Sequence, residues 1–211
     1  MSQKIPSVSE LIGKASAPCL VIREGDRDAI LQKVKGLEWA ASAFGQLKAE
    51  AEAWMWKEVL IPDRGGQWLH WYACEVDGSR LVTESPTVHR CPMCGRVNSG
   101  EPWDSVPLTE VHHRLSRAVL TLGVYYALSG DLNAAKKAAE ILISYAGVYP
   151  HYPLRDRYLK TNSVRAAKVT SGTLGESVWL IPICSGYDLI RDSGLFSPAD
   201  HQGIREQLFR P

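Results

Sequence analysis

The chain has no apolar run close to the roughly 18 residues that a membrane-spanning helix requires, which leaves no candidate for a helical span. Its opening, MSQKIPSVSELIGKASAPC, lacks the basic flank and apolar centre of a signal peptide, so these residues carry no recognisable export signal. An excess of charge is missing as well. With 24 basic and 23 acidic residues the net charge is +1, too small for a global field that recruits nucleic acid or an anionic membrane surface, and neither is expected as a partner. Attraction for a polyanion must therefore be local. A disulfide framework is also absent from the pattern: five cysteines are an odd number, and 211 residues at 45% hydrophobic content can bury a core without covalent staples. Strand-like alternation is confined to one cysteine-bearing segment, and no short-period repeat is present.

Helical signals fill most of the rest. GDRDAILQKVKG offers Asp26 as a cap and Gly36 as a stop, and LEWAASAFGQLKAEAEAWMWKEVL has the alanine, glutamate and lysine content of a long helix. From Thr109, apolar residues recur at Leu115, Val119, Leu122 and Tyr126 until Gly130, after which Asp131 can cap LNAAKKAAEILISYAGVY to complete a helical hairpin. A further helix is expected from about Ser171, kinked at Pro182, and SPADHQGIREQLF restarts with a Ser197 cap and Pro198 in the first helical position. The fold class is mainly α. Cys19 and Cys184 stand in apolar contexts and read as small core residues.

The interruption, WLHWYACEVDGSRLVTESPTVHRCPMCGR, has metal-ligand chemistry. CPMCG places Cys91 and Cys94 on one turn with both sulfurs able to face a single tetrahedral ion, and Cys74 lies 17 residues upstream, within range of a two-knuckle zinc site. A closed structural site needs a fourth ligand. His89, two residues before Cys91, is preferred because imidazole partners thiolates well; Asp77 is the alternative, standing in CEVDG where a second CxxC would carry its second cysteine, and His70 is a further candidate. The segment from about 66 to 105 is then a metal-stapled excursion whose structural zinc replaces a core that a loop of this size cannot build.

A second segment, HYPLRDRYLKTNSVRAAKVT, holds Arg155, Arg157, Lys160, Arg165 and Lys168 against the single acid Asp156, with Tyr152 and Tyr158 interleaved. Arginine forks pair with carboxylates and aromatic rings stack on sugar faces, so Arg155, Arg157, Tyr158 and Arg165 are candidate contacts to an acidic polysaccharide or oligosaccharide. Glu176 in TLGESVW reads as a supporting group, and of His112 and His113 one is expected packed and the other solvated.

In order along the chain, PCLVIREGDRDAI, WLHWYACEVDG, HRCPMCGR, YALSGDLNAAKKAAEILISYAGVYPHYP, TLGESVWLIPICSGYDLI and SPADHQGIREQLFRP resemble the N-terminal part of heparinase II/III-like proteins, which include alginate and heparin lyases. The resemblance implies that residues 1–211 form the N-terminal part of an incomplete α/α toroid of helical hairpins with a zinc-knuckle-like insertion. In full-length members more helices and a β-sheet domain follow, and a periplasmic or secreted setting is implied. It implies β-elimination on uronic-acid polysaccharides: neutralising the carboxylate, removing the C5 proton and protonating the leaving oxygen. The groups for those steps are expected beyond Pro211, so no catalytic residue is assigned and elimination by these residues alone is not expected. The alternative is a non-catalytic carbohydrate-binding or structural toroid. The sequence departs from the family pattern at Asp77, where many relatives have cysteine.

Overall fold

Leu37, in extended conformation, separates two helices, α1 (Asp26–Gly36) and α2 (Glu38–Met55). The computed structural model describes residues 20–23 and 25–210; Cys19 lies outside the described residues. Asp26 is not the cap of α1. That position is Gly25, and the Asp26 carboxylate instead accepts the Arg23 amide at 2.9 Å from within the first turn. Helix α2 stops at Met55 rather than running to Leu60, ahead of a stretch that contains Val59 and Ile61 and leads into Pro62, residues that disfavour helix.

Helix α3 (Val106–Ser129) begins three residues earlier than its apolar period suggests, with Pro107 in the first turn, where a missing amide hydrogen costs nothing. Gly130 ends it, and the Asp131 carboxylate accepts the Asn133 amide at 2.9 Å to cap α4 (Leu132–Val148), so the hairpin turns on two residues. Helix α5 (Thr173–Ile190) runs through Pro182, and α6 (Pro198–Gly203) starts with a reciprocal capping box between Ser197 and Asp200 before a π-helical turn at Ile204–Phe209. Cys184, expected in the core, is only partly buried.

Helix α3 is the hub, packing most extensively on α5 and next on α4. Its buried Leu115, Val119 and Leu122 join Ile141, Leu142, Tyr145, Trp179, Ile183 and Ile190 in one continuous core. The α3–α5 crossing is close because both helices present glycine there, Gly123 and Gly186; a methyl group at Gly186 would lie 2.6 Å from the Val119 carbonyl oxygen.

The excursion forms a small lobe of its own. Strands β1 (Val82–Ser85), β2 (Val88–Arg90) and β3 (Val97–Asn98) make an antiparallel sheet in the order β1-β2-β3. Tyr72, Cys74, Leu81, Cys91 and Val106 form a second cluster of buried residues with Trp71 and Trp103 against it. Val106 opens α3, and the Thr109 hydroxyl donates to the Gln67 carbonyl at 2.7 Å, so the lobe is pinned to the first turn of the central helix.

Candidate metal centre and adjoining cleft

Two turns with matching backbone geometry bring the cysteines together. In one, the Cys74 amide donates to Ser79 O at 2.8 Å and the Gly78 amide to Cys74 O at 2.9 Å; in the other, Cys91 donates to Arg96 O at 2.8 Å and Gly95 to Cys91 O at 3.0 Å. An antiparallel pairing closes each, Ala73 with Arg80 and Arg90 with Val97. Gly78 and Gly95 occupy equivalent positions with φ of 72° and 75°, a left-handed conformation that favours glycine. Inside both turns backbone amides point at the first sulfur: Met93 and Cys94 donate to Cys91 Sγ at 3.4 Å, while Val76 and Asp77 do so for Cys74 and lower its pKa.

The repeat makes Asp77 the positional counterpart of Cys94. The donor atoms of Cys74, Asp77, Cys91 and Cys94 all lie within 4.8 Å of one another, a group that can hold a metal ion. Cys74 Sγ and Cys94 Sγ are 3.6 Å apart, close to the roughly 3.8 Å that two sulfurs adopt on a tetrahedral zinc with bonds of about 2.3 Å. The Asp77 oxygens lie 3.2 and 3.5 Å from Cys91 Sγ. The backbone amide and hydroxyl of Ser79 hold the Asp77 carboxyl well below the usual carboxylate range, so it offers an ionised oxygen. Cys94 has the Arg96 amide favouring its thiolate, yet the neighbouring Cys91, burial, Cys74 and Asp77 together push its pKa up to about 11.

His89, the preferred fourth ligand from the sequence, stands outside this group. Its Nδ1 is 2.7 Å from Tyr72 Oη and its Nε2 is 2.9 Å from Asp104 Oδ1, so both ring nitrogens are engaged and the fully buried ring ties strand β2 to the turn before α3. Asp104 Oδ1 also accepts the Gly100 amide at 2.9 Å. His70 faces the cleft described next.

Beside the lobe, the 151–170 segment folds over the start of α3 and leaves a cleft of about 620 Å³. Arg157, Tyr158 and Arg165 line it together with Trp68, His113 and the first turn of α5. The Arg157 guanidinium lies over two aromatic rings, 4.5 Å from the centre of Trp68 and 5.1 Å from that of Tyr158. Asp156, at the base of this turn, is buried and accepts the amides of Tyr158 and Lys160 at 2.9 and 3.0 Å, which holds its carboxyl below the usual range. Leu159, at the tip between those two amides, takes a left-handed φ of 63°, uncommon for a residue other than glycine.

Arg155 differs from its sequence-based grouping. Its guanidinium donates to Gly65 O at 3.3 Å and to Ser105 Oγ at 3.5 Å, so it braces the segment against the lobe instead of lining the cleft. Lys168 is likewise engaged, with Nζ 3.1 Å from Pro150 O. Glu176 accepts the amides of Lys168, Val169 and Thr170 at 2.9–3.3 Å and the Tyr149 hydroxyl at 2.9 Å, and so clamps the segment's end to α5. His112 is the packed histidine and His113 the half-exposed one. The aromatic wall, Trp68 with Trp71 and Trp103, is a feature that sequence reasoning passed over; the three-residue spacing in WLHW was its only local signal.

In sequence the chain is similar to two lyases. An alginate lyase of Stenotrophomonas maltophilia is 33% identical over 102 residues, covering 48% of this chain and 13% of that protein. An exo-oligoalginate lyase of Saccharophagus degradans is 21% identical over 210 residues, covering 98% of this chain and 22% of that protein. The chain thus spans less than a quarter of the length of either relative. No protein-family model matches it.

Proposed function

We propose that this chain is the N-terminal portion of an α/α toroid in a polysaccharide lyase of the heparinase II/III-like type, and that it contributes a binding wall for uronic-acid polysaccharides cleaved by β-elimination. The observation that carries the reading is Arg157 over the rings of Trp68 and Tyr158, with Arg165 lining the same open cleft: a guanidinium beside aromatic faces offers a fork to a sugar carboxylate and rings to a sugar face. Two relatives named as lyases of alginate or its oligomers support the substrate class. Groups for proton transfer are assigned to parts of the longer protein outside these residues. The zinc ion is structural: Cys74, Cys91, Cys94 and Asp77 would hold it, and a full set of four protein ligands leaves no open position for chemistry.

The test is binding of an acidic oligosaccharide, measured by calorimetry at low and physiological salt. Changing both Arg157 and Arg165 to alanine should weaken binding at least about tenfold, given roughly 1 kcal/mol for each partly exposed ion pair, and the parent's affinity should fall with salt. Unchanged affinity in that variant, with salt-independent binding, would overturn the reading.

A further inference from the structure

The four donors of the metal group are unequal in two respects that matter for oxidation. Cys94 and Asp77 are exposed, whereas Cys74 and Cys91 are buried in the lobe's own cluster. One donor, the Asp77 carboxylate, is not a thiol and cannot join a disulfide. In a site of four cysteines a single disulfide leaves two thiolates on the metal. Here it leaves one thiolate and a carboxylate, a donor pair too few and too hard to retain zinc.

The geometry also selects the two sulfurs that join. Cys94 is the thiol that a dissolved oxidant meets first. Cys74 Sγ stands 3.6 Å from it, on the other knuckle and 20 residues away in sequence. A disulfide has its sulfurs about 2.05 Å apart, so the two turns have roughly 1.5 Å to close. Cys91 is the least available of the three: it has no exposed surface, and its sulfur already lies 3.2 Å from an Asp77 oxygen.

We propose that Cys94 is a peroxide-reactive cysteine with Cys74 as its resolving partner, so that a hydroperoxide exchanges the zinc staple of the lobe for a disulfide staple. The Cys94 thiolate attacks one oxygen of hydrogen peroxide, the O–O bond breaks, and hydroxide leaves to give a sulfenic acid. The Cys74 thiolate then attacks that sulfur, the S–S bond forms, and a second hydroxide leaves. Two thiolates have lost two electrons, the peroxide has gained them, and the two hydroxides are protonated by solvent. The new bond ties the same two knuckles that the metal tied, so the lobe stays cross-linked after zinc departs. This inference rests on the structural-zinc reading above and gives that site a regulation.

The experiment treats the zinc-loaded protein with hydrogen peroxide beside a chromogenic zinc chelator, then blocks remaining thiols and maps the linked peptides by mass spectrometry. About one zinc per chain should be released, a Cys74–Cys94 link should appear in step with it, and dithiothreitol with added zinc should reverse both. Cys184→Ser, which removes the partly buried thiol of α5, should release zinc at the parent's rate. Hydrogen exchange across residues 66–105 should be slowest with zinc, intermediate in the oxidised protein and fastest in reduced protein stripped by chelation. Zinc that stays bound while Cys94 remains unmodified overturns the inference and leaves the structural-zinc reading standing. Release accompanied by a Cys91–Cys94 link, or by Cys94 oxidised without any link, overturns the role given to Cys74. If the reduced protein holds no zinc at the outset, the structural-zinc reading falls and the inference with it.

Discussion

His112 is buried beneath the cleft with both ring nitrogens bonded. Nε2 faces the Arg64 carbonyl at 3.1 Å and must carry the proton, which leaves Nδ1 to accept from the Tyr145 hydroxyl at 2.8 Å. Burial lowers its pKa from 6.5 to about 4. A folded-state pKa below the unfolded one means that the unfolded chain binds the proton more readily. The stabilisation from the neutral imidazole is thus present above pH 6.5 and is lost as pH falls toward about 4, on the order of 3 kcal/mol across the window. Melting temperature followed against pH should decline over this range, and in His112→Gln the decline should be shallower. Parallel profiles for the two proteins would show that another group governs acid sensitivity.

Among the elements, the α3–α5 pair sets how the cleft's two sides are spaced, because α3 carries His113 and α5 supplies the wall at Thr173–Val178. Glycine at 123 and 186 lets these helices approach more closely than side chains would allow. A methyl group at Gly186 meets backbone atoms of Val119, which cannot swing aside as a flexible side chain can. Gly186→Ala should therefore lower stability by about 1–3 kcal/mol, read as a shift in the urea midpoint at constant slope. A midpoint unchanged from the parent would mean that the crossing relaxes freely. Other element boundaries followed local chemistry: Gly130, Asp131 and the Ser197–Asp200 box lie where their residue types demand. The early start of α3 did not, because the packing of Val106 in the lobe's cluster decides it, whereas α2 stops ahead of Val59, Ile61 and Pro62, which disfavour helix.

For the whole molecule, the helical body and the lobe rest on different physics. The body has a large apolar core. The lobe has only five buried residues in its own cluster, two of them cysteines in the metal-ligand group. Protein purified under reducing conditions should contain about one zinc per chain, and chelation should speed hydrogen exchange across residues 66–105 while leaving the helical circular dichroism near its starting value. Asp77→Ala should weaken zinc at least about tenfold, since even outer-sphere partners of a metal ligand are worth that much. His89→Gln should retain the stoichiometry but loosen β2 from the 100–104 turn. Zinc retained in Asp77→Ala and lost in His89→Gln would reverse the assignment.

What the sequence determined by itself is what a few neighbouring residues can specify. Helical period, caps, and the Cys91–Cys94 turn are geometries of one or two turns of backbone, and residue types at fixed offsets dictate them. The mainly helical class followed from these, as did the grouping of three cysteines. Only the tertiary structure decided the rest. Asp77 replaces His89 in the cluster because the first knuckle repeats the second in backbone geometry, while Tyr72 and Asp104, 17 and 15 residues away from His89, claim its ring. Arg155 and Arg157, two residues apart in one loop, have different surroundings because Gly65, 90 residues from Arg155, binds the first guanidinium and Trp68 lies against the second. Such choices depend on which distant groups arrive beside a side chain: the CEVDG spacing put Asp77 forward, but only the contacts of Tyr72 and Asp104 with His89 decided against the imidazole.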